Sequence, residues 1–131
     1  MTNDDAIRDL IAAYALTLDA DDVDACIELF TADGEFVVFG KTLSGPEQIR
    51  EMFTRAPRGM HLTGVKLIDV RGTSATARTQ VLFVNAVTHH MRLALYDDEF
   101  VTVNGQWRFR RRRCQFLTAD GLADSPQEQT S

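Results

Sequence analysis

The sequence predicts one α+β domain in which a curved β-sheet wraps around three N-terminal helices and leaves an internal pocket. Two changes of pattern along the chain predict this class. Apolar residues recur at helical spacing up to Ala56, and from Arg58 onward they recur at every second residue, as in β-strands. The length of 131 residues suits a single domain. Helices segregated in sequence from antiparallel strands are typical of the α+β class.

The first helix is predicted from apolar residues at helical spacing, with Asn3 or Asp4 as its N-cap. These residues are Ile7, Leu10, Ile11, Tyr14, Ala15 and Leu18. After a polar break, a short second helix is expected over 23–30, with Asp21 or Asp22 as its cap. Asp33-Gly34 then forms a turn before a short β-rich segment, Glu35 to Phe39.

The third helix is predicted to begin at Ser44, because Ser44 and Glu47 have the spacing of a capping box. Pro46 suits the first helical turn, and Pro57 ends the helix. Four long strands follow, at Leu62–Val70, Thr73–Val87, Met91–Val103 and Trp107–Leu117. Arg71-Gly72 and Asn104-Gly105 are the expected hairpin turns. We therefore expect a single domain over residues 1–119 and a flexible tail over 120–131.

Composition excludes several classes of function. The net charge is −5 and the sequence pI is about 5.1, so we expect no nucleic-acid partner. No apolar run has the length of a membrane span, and the acidic N-terminus is unlike a signal peptide, so we expect a cytoplasmic protein that binds no membrane. The two cysteines are too few for a disulfide framework or a zinc site.

The segment from Tyr14 to Gly34 resembles the opening of the SnoaL-like branch of the nuclear transport factor 2-like superfamily. It has a tyrosine, an aspartate five residues later, a second aspartate, an apolar pair, Phe30 and Asp-Gly. The helix start at 45–49, His61 and the segment 104–107 fit the same order, so the resemblance covers residues 4–117. It implies a cone formed by a bent sheet and three helices. The superfamily includes dehydratases, isomerases, cyclases, epoxide hydrolases and non-catalytic binding proteins, so the fold alone does not settle the function.

Asp19 and His61 are the candidate catalytic residues. Asp19 ends the first helix beside its apolar face, where a carboxylate can act as an acid or a base; the alternative is that it caps the second helix or is solvated. His61 begins the first long strand, in phase with Thr63, Val65 and Leu67, and its imidazole titrates near neutrality; the alternative is a structural histidine. The resemblance favours catalysis, since dehydratases of the scytalone and bile-acid types carry an Asp and a His at these places. We expect the two side chains to meet inside the pocket.

Four further residues are candidates for substrate binding: Tyr14, Asn85, Tyr96 and Arg111. Tyr14 matches a pocket tyrosine of the bile-acid dehydratase-like enzymes, Tyr96 matches another pocket position, and both can equally be core residues. Asn85 stands where scytalone dehydratase-like sequences have a second histidine, and it can hold an oxygen but cannot transfer a proton.

Arg108 and the run Arg110–Arg113 form a basic cluster on the last predicted strand. Alternation places Arg111 on the same side as Trp107 and Phe109, where it can bind an acidic group; a β-bulge would transfer that role to Arg112. The adjacent His89 and His90 point to opposite faces of a strand, so we expect no metal site there.

The resulting hypothesis is a small lyase or isomerase that needs no cofactor and no metal. Asp19 and His61 would transfer protons on a hydrophobic, cyclic small molecule of polyketide, steroid or aromatic type. A ketosteroid isomerase-like reaction is less favoured, because Val37 and Val38 occupy the place of that family's catalytic aspartate. The alternative is a non-catalytic binding or dimerisation module of the same fold. In either case we expect a homodimer that forms through the outer face of the sheet.

Overall fold

The computed structural model describes residues 1–127 and confirms the α+β class. Its helices are α1 (Asn3–Asp19), α2 (Val23–Ile27) and α3 (Gly45–Arg55). Its strands are β1 (Phe30–Val38), β2 (Lys41–Ser44), β3 (Gly59–Arg71), β4 (Ser74–Asn85), β5 (Met91–Val103), β6 (Gln106–Thr118) and β7 (Gly121–Ala123). The period-two segments predicted from the sequence are thus four long strands.

The strands form one mixed sheet with the order β2-β1-β6-β5-β4-β3, and β7 pairs with β6. Strands β1 and β6 are parallel, and every other pairing is antiparallel. The pairing of Phe30 with Phe109 brings the N-terminal hairpin beside the last long strand. The helices contact the sheet from one side, and α1 packs mainly on β3.

The core lies between the helices and the inner face of the sheet. The predicted apolar face of α1 is buried, from Ile7 to Leu18. Tyr14 is at the centre of an aromatic cluster, with ring centroids 5.8 Å from those of Phe53, Tyr96 and Phe109. These edge-to-face contacts fix the end of α1 against both α3 and the sheet, and so determine where Asp19 lies.

The helix caps differ in part from the expectation. Thr2, rather than Asn3 or Asp4, is the N-cap of α1, and it forms a capping box with Asp5. Asp22 caps α2, as one of the two alternatives predicted. The Ser44 side chain forms no capping bond; its backbone N–H instead donates to Gln48 Oε1 at 2.8 Å.

A register shift between Thr63 and Lys66 divides β3 into two halves. Beyond the shift, Val65 and Leu67 are exposed on the outside of the sheet, with fractional exposures of 71% and 79%. The expectation that both residues lie in phase with His61 is therefore wrong. Strict alternation does not hold across a bulge, because the extra residue inverts the faces of those that follow.

The segment 120–131, expected to be a flexible tail, contains a strand in the structure. Residues 121–123 form β7, which turns back on β6. Asp124 then accepts hydrogen bonds from Arg113 and Gln115, at 3.5 and 3.4 Å. A three-residue strand has no apolar periodicity that a sequence pattern could reveal. Residues 128–131 lie outside the described part of the chain.

Candidate active site

A cavity of about 840 Å³ lies between the concave face of the sheet and the C-terminal ends of α1 and α3. Its wall is mainly apolar and aromatic, with residues from both helices and from β1, β3, β4, β5 and β6. Pro126 and Gln127, beyond β7, complete the wall at the C-terminal side. A cavity of this size and character suits a small hydrophobic ligand.

Asp19 and His61 meet in the wall of this cavity. Asp19 Oδ1 is 2.6 Å from His61 Nδ1, and Asp19 Oδ2 accepts a hydrogen bond from the His61 backbone N–H at 2.8 Å. The predicted contact is therefore confirmed, and Asp22 rather than Asp19 caps α2. Because the carboxylate has no proton to donate, it holds the Nδ1–H tautomer and leaves Nε2 as the acceptor.

The surroundings of His61 favour its neutral form. Burial lowers the pKa of His61 below its ordinary value of 6.5; the hydrogen bond and charge of Asp19 oppose this, and the charge of Arg112 adds to it. The ring also packs on Phe83, with centroids 4.8 Å apart. At neutral pH the imidazole is thus an uncharged base that can accept a proton at Nε2.

Tyr14 and Tyr96 both line the cavity and are almost completely buried. Burial raises the pKa of each phenol above its ordinary value, so both hydroxyls stay protonated; a hydrogen bond between the two hydroxyls opposes part of the rise for Tyr96. The Arg112 guanidinium lies over both rings, 3.5 Å from the Tyr96 centroid and 4.2 Å from that of Tyr14. Its positive charge opposes the rise of both pKa values.

The arginine on the inner face is Arg112, not Arg111. A register shift opposite Glu99 and Phe100 places one extra residue in β6, so Arg112 is fully buried. Arg111 lies on the outer side, 3.7 Å from Glu35 and 3.9 Å from Glu99. The expectation that Arg111 faces the pocket is therefore wrong, and the bulge that was considered as the alternative is present.

Arg112 and Asp98 form a buried ion pair behind the two tyrosines. The Nε and Oδ1 atoms are 3.1 Å apart, and both side chains are fully buried. The angles are not those of a hydrogen bond, so within residues 1–127 the polar atoms of both groups have no hydrogen-bond partner. Burial raises the pKa of Asp98 to about 7, although the charge of Arg112 opposes this. The pair thus places a cation behind the phenols and keeps it out of contact with solvent.

Asn85 lies at the rim of the cavity, as expected, but its side-chain oxygen is already engaged. Its Oδ1 accepts hydrogen bonds from the backbone N–H groups of Val87 and Thr88, at 2.8 and 3.0 Å. Asn85 therefore stabilises the turn between β4 and β5, and only its amide NH₂ can serve a ligand.

No group of three or more potential metal ligands occurs among residues 1–127. His90 and Arg92 also line the mouth of the cavity, and neither was among the candidate residues. The strand alternation that includes Ala94 and Tyr96 was the signal that could have identified Arg92. Within the same range no helix is long and apolar enough to cross a membrane.

Several solved structures share this architecture. A protein of unknown function from Mycobacterium tuberculosis is 31% identical, with a TM-score of 0.81 over 88% of this chain and 73% of the other. A proposed scytalone dehydratase from Novosphingobium aromaticivorans is 25% identical, with a TM-score of 0.77 over 92% and 85% of the two chains. A hexachlorocyclohexane dehydrochlorinase, LinA type 2, is 17% identical and shares the fold, with a TM-score of 0.75 over 95% and 88%.

No curated protein matches the sequence. The profile of the SnoaL-like domain family, by contrast, matches residues 1–113, which include the helices and the cavity wall up to β6. These residues carry the Tyr14, Asp19 and His61 pattern as well as the bent sheet. The chain therefore belongs to the SnoaL-like domain family.

Proposed function

We propose that the protein is a cofactor-independent lyase or isomerase that eliminates or relocates a group beside a carbonyl in a hydrophobic cyclic molecule. The observation that carries this proposal is the 2.6 Å contact between Asp19 and His61 in the wall of a largely apolar cavity. The similarity to a proposed scytalone dehydratase supports the same class of reaction.

In this proposal His61 Nε2 removes the proton from the carbon next to the carbonyl. The electron pair of the broken C–H bond delocalises onto the carbonyl oxygen and gives an enolate. The Asp19 carboxylate stabilises the imidazolium that forms at the same time. For a dehydration, the C–O bond at the β-carbon then breaks as the C=C bond forms. The departing oxygen takes the proton back from Nε2 and leaves as water, so His61 ends the cycle neutral.

Tyr14 and Tyr96 are the groups that we expect to bind the carbonyl oxygen. Both phenols stay protonated at the cavity wall and hydrogen-bond each other, so together they can offer one O–H to the ligand, and a hydrogen bond to a developing enolate strengthens as its charge grows. The Arg112 guanidinium, which lies over both rings, makes each hydroxyl a stronger hydrogen-bond donor, because its positive charge stabilises negative charge on the phenol oxygen. Arg112 therefore acts through the tyrosines as a positioning residue.

The first half of this reaction can be tested without knowing the natural substrate. A cyclic ketone such as 2-tetralone is incubated in deuterated water, and uptake of deuterium beside the carbonyl is followed by NMR. We expect the wild-type protein to accelerate exchange and His61→Gln to lose this acceleration by about a hundredfold or more. Tyr96→Phe should give a smaller loss, because the base remains and only one donor is removed.

His89→Asn is the matched control, since it removes another histidine at an exposed left-handed position (φ 61°) that asparagine tolerates. It should exchange the ketone like the wild type. Equal exchange rates for the wild type and His61→Gln across a series of cyclic ketones would overturn the catalytic proposal. A non-catalytic binding module would then be the better description.

A further inference from the structure

We propose that the ligand of this cavity is an organic anion, a hydrophobic ring compound whose carboxylate pairs with Arg92 at the cavity mouth. This inference rests on the proposed function, because it assigns the substrate class of the same cavity. It concerns a residue outside the proton-transfer pair, and its evidence is the strand register and the distribution of charge.

Arg92 belongs to a row of inward-facing side chains that crosses three neighbouring strands. His61 on β3 pairs with Phe83 on β4, and Phe83 pairs with Arg92 on β5. Arg92 alternates in phase with Ala94 and Tyr96, which are buried, and all three line the cavity. Adjacent strands are roughly 4.8 Å apart, so the backbones of His61 and Arg92 are separated by about 10 Å.

The charges around the cavity favour a negative ligand, although the protein as a whole carries a net charge of −5. Three arginines, Arg55, Arg58 and Arg92, line the cavity, and the only carboxylate among the described lining residues is that of Asp19. Asp19 is already held by His61. A ligand that enters this mouth therefore meets positive charge near an apolar wall.

Of these three arginines, Arg92 is the one without a carboxylate partner among residues 1–127. Arg55 pairs with Glu51 at 2.9 Å, and Arg58 pairs with Asp21. Within residues 1–127, no carboxylate lies within 4 Å of the Arg92 guanidinium. A guanidinium presents paired N–H donors that match the two oxygens of a carboxylate.

This arrangement determines which way a ligand lies in the cavity. Its carboxylate would be held by Arg92, its ring would lie on Phe83 between the two strands, and the far side of the ring would face His61. The roughly 10 Å separation leaves room for one ring system between the anion and the reacting carbon. Arg92 thus selects the substrate and its orientation without taking part in proton transfer.

Two dyes with nearly the same aromatic body provide the test. 8-Anilinonaphthalene-1-sulfonate carries an anion, and N-phenyl-1-naphthylamine lacks it; binding of both is measured by fluorescence titration. We expect Arg92→Gln to weaken binding of the anionic dye at least fivefold and to change that of the neutral dye by less than twofold. Arg92→Lys, which keeps the positive charge, should restore part of the loss.

Arg8→Gln is the matched control, because Arg8 is an exposed arginine on α1 that is absent from the cavity wall. It should bind both dyes like the wild type. Phe83→Ala should weaken both dyes, because the ring body rests there; if it weakens neither, the dyes bind elsewhere and the proposal fails. The proposal also fails if Arg92→Gln affects both dyes equally or neither.

These measurements need no turnover, so the two proposals can fail separately. Selective loss of the anionic dye in Arg92→Gln, with no ketone exchange by the wild type, would support the binding inference and overturn catalysis. Ketone exchange with no selective effect of Arg92→Gln would do the reverse.

Discussion

Replacing Asp19 with asparagine tests whether the carboxylate controls the imidazole of His61. In the wild type its two oxygens accept from Nδ1 and from the backbone N–H of His61, at 2.6 and 2.8 Å. Asparagine has a single oxygen, so it can keep only one of these bonds, and its NH₂ group then faces the other N–H. This conflict is relieved when the imidazole carries its proton on Nε2 instead of Nδ1. Nε2 can then no longer accept a proton from the substrate.

The size of the effect follows from the bond that is lost. A hydrogen bond to a charged group contributes about 1.5–3 kcal/mol. Because the Asp19 and His61 side chains are 20% and 16% exposed, we expect the low end of that range, about 1.5 kcal/mol. For a domain of this length that corresponds to a fall in Tm of about 4–8 °C. Exchange of the ketone should fall about a hundredfold or more, since the base is in the wrong tautomer.

NMR of the His61 ring reports this change without any substrate. The ¹⁵N shifts should move from the Nδ1–H to the Nε2–H tautomer in Asp19→Asn, and the pKa of His61 should fall further, because Asp19 is the group that raises it. The folded pKa lies below 6.5, so the unfolded chain binds the proton more readily, and stability rises with pH up to about 6.5. An unchanged tautomer and pKa in the variant would refute the reasoning.

Three further outcomes are expected. Arg112→Met should cost about 3–5 kcal/mol in urea unfolding, because it leaves Asp98 buried without its cation, and Arg112→Met/Asp98→Leu should recover most of this loss. The loss should be greater at pH 8 than at pH 5, because the raised pKa of Asp98 means that stability falls as this carboxyl ionises. We propose that the protein forms a homodimer through the outer face of the sheet, where the side chain of Leu67 is 79% exposed. Leu67→Asp should therefore give monomers in light scattering, and a wild-type protein that is already monomeric would contradict the proposal. Deleting residues 120–131 should lower the free energy of unfolding by less than about 1 kcal/mol. It should weaken dye binding, because the deletion removes Pro126 and Gln127 from the cavity wall. Unchanged dye affinity would show that this segment is not needed for binding.

The sequence was informative wherever one residue's environment depends on its near neighbours. The spacing from Ile7 to Leu18 identified the buried face of α1, and the Asn104-Gly105 turn fixed the hairpin between β5 and β6. The position of Asp19 at the end of α1 also followed from local periodicity. Its contact with His61 was predicted from the family resemblance rather than from spacing, since 42 residues separate the two.

What the sequence could not specify depends on pairing between strands. Whether Arg111 or Arg112 faces inward is decided by one extra residue in β6, which becomes visible only when the register with β5 is known. In the same way, Val65 and Leu67 continue an apparent alternation that the shift in β3 has already inverted. Alternation with Tyr96 indicates the face of β5 on which Arg92 lies, but the sequence does not show that the cavity extends as far as this residue.

The parallel pairing of β1 with β6 has a consequence for how the chain acquires its structure during synthesis. Phe30 lies beside Phe109, and Val37 beside Arg113, so the N-terminal hairpin has no strand partner of its own until β6 has been made. Contacts between such distant residues close long loops and slow folding. A ribosome-bound chain that ends before residue 106 could therefore pack α1 on β3 but would hold the β1–β2 hairpin without its partner strand. We expect the nascent protein to complete its fold only after β6 has emerged from the ribosome, because the edge of β1 that pairs with β6 stays open until then.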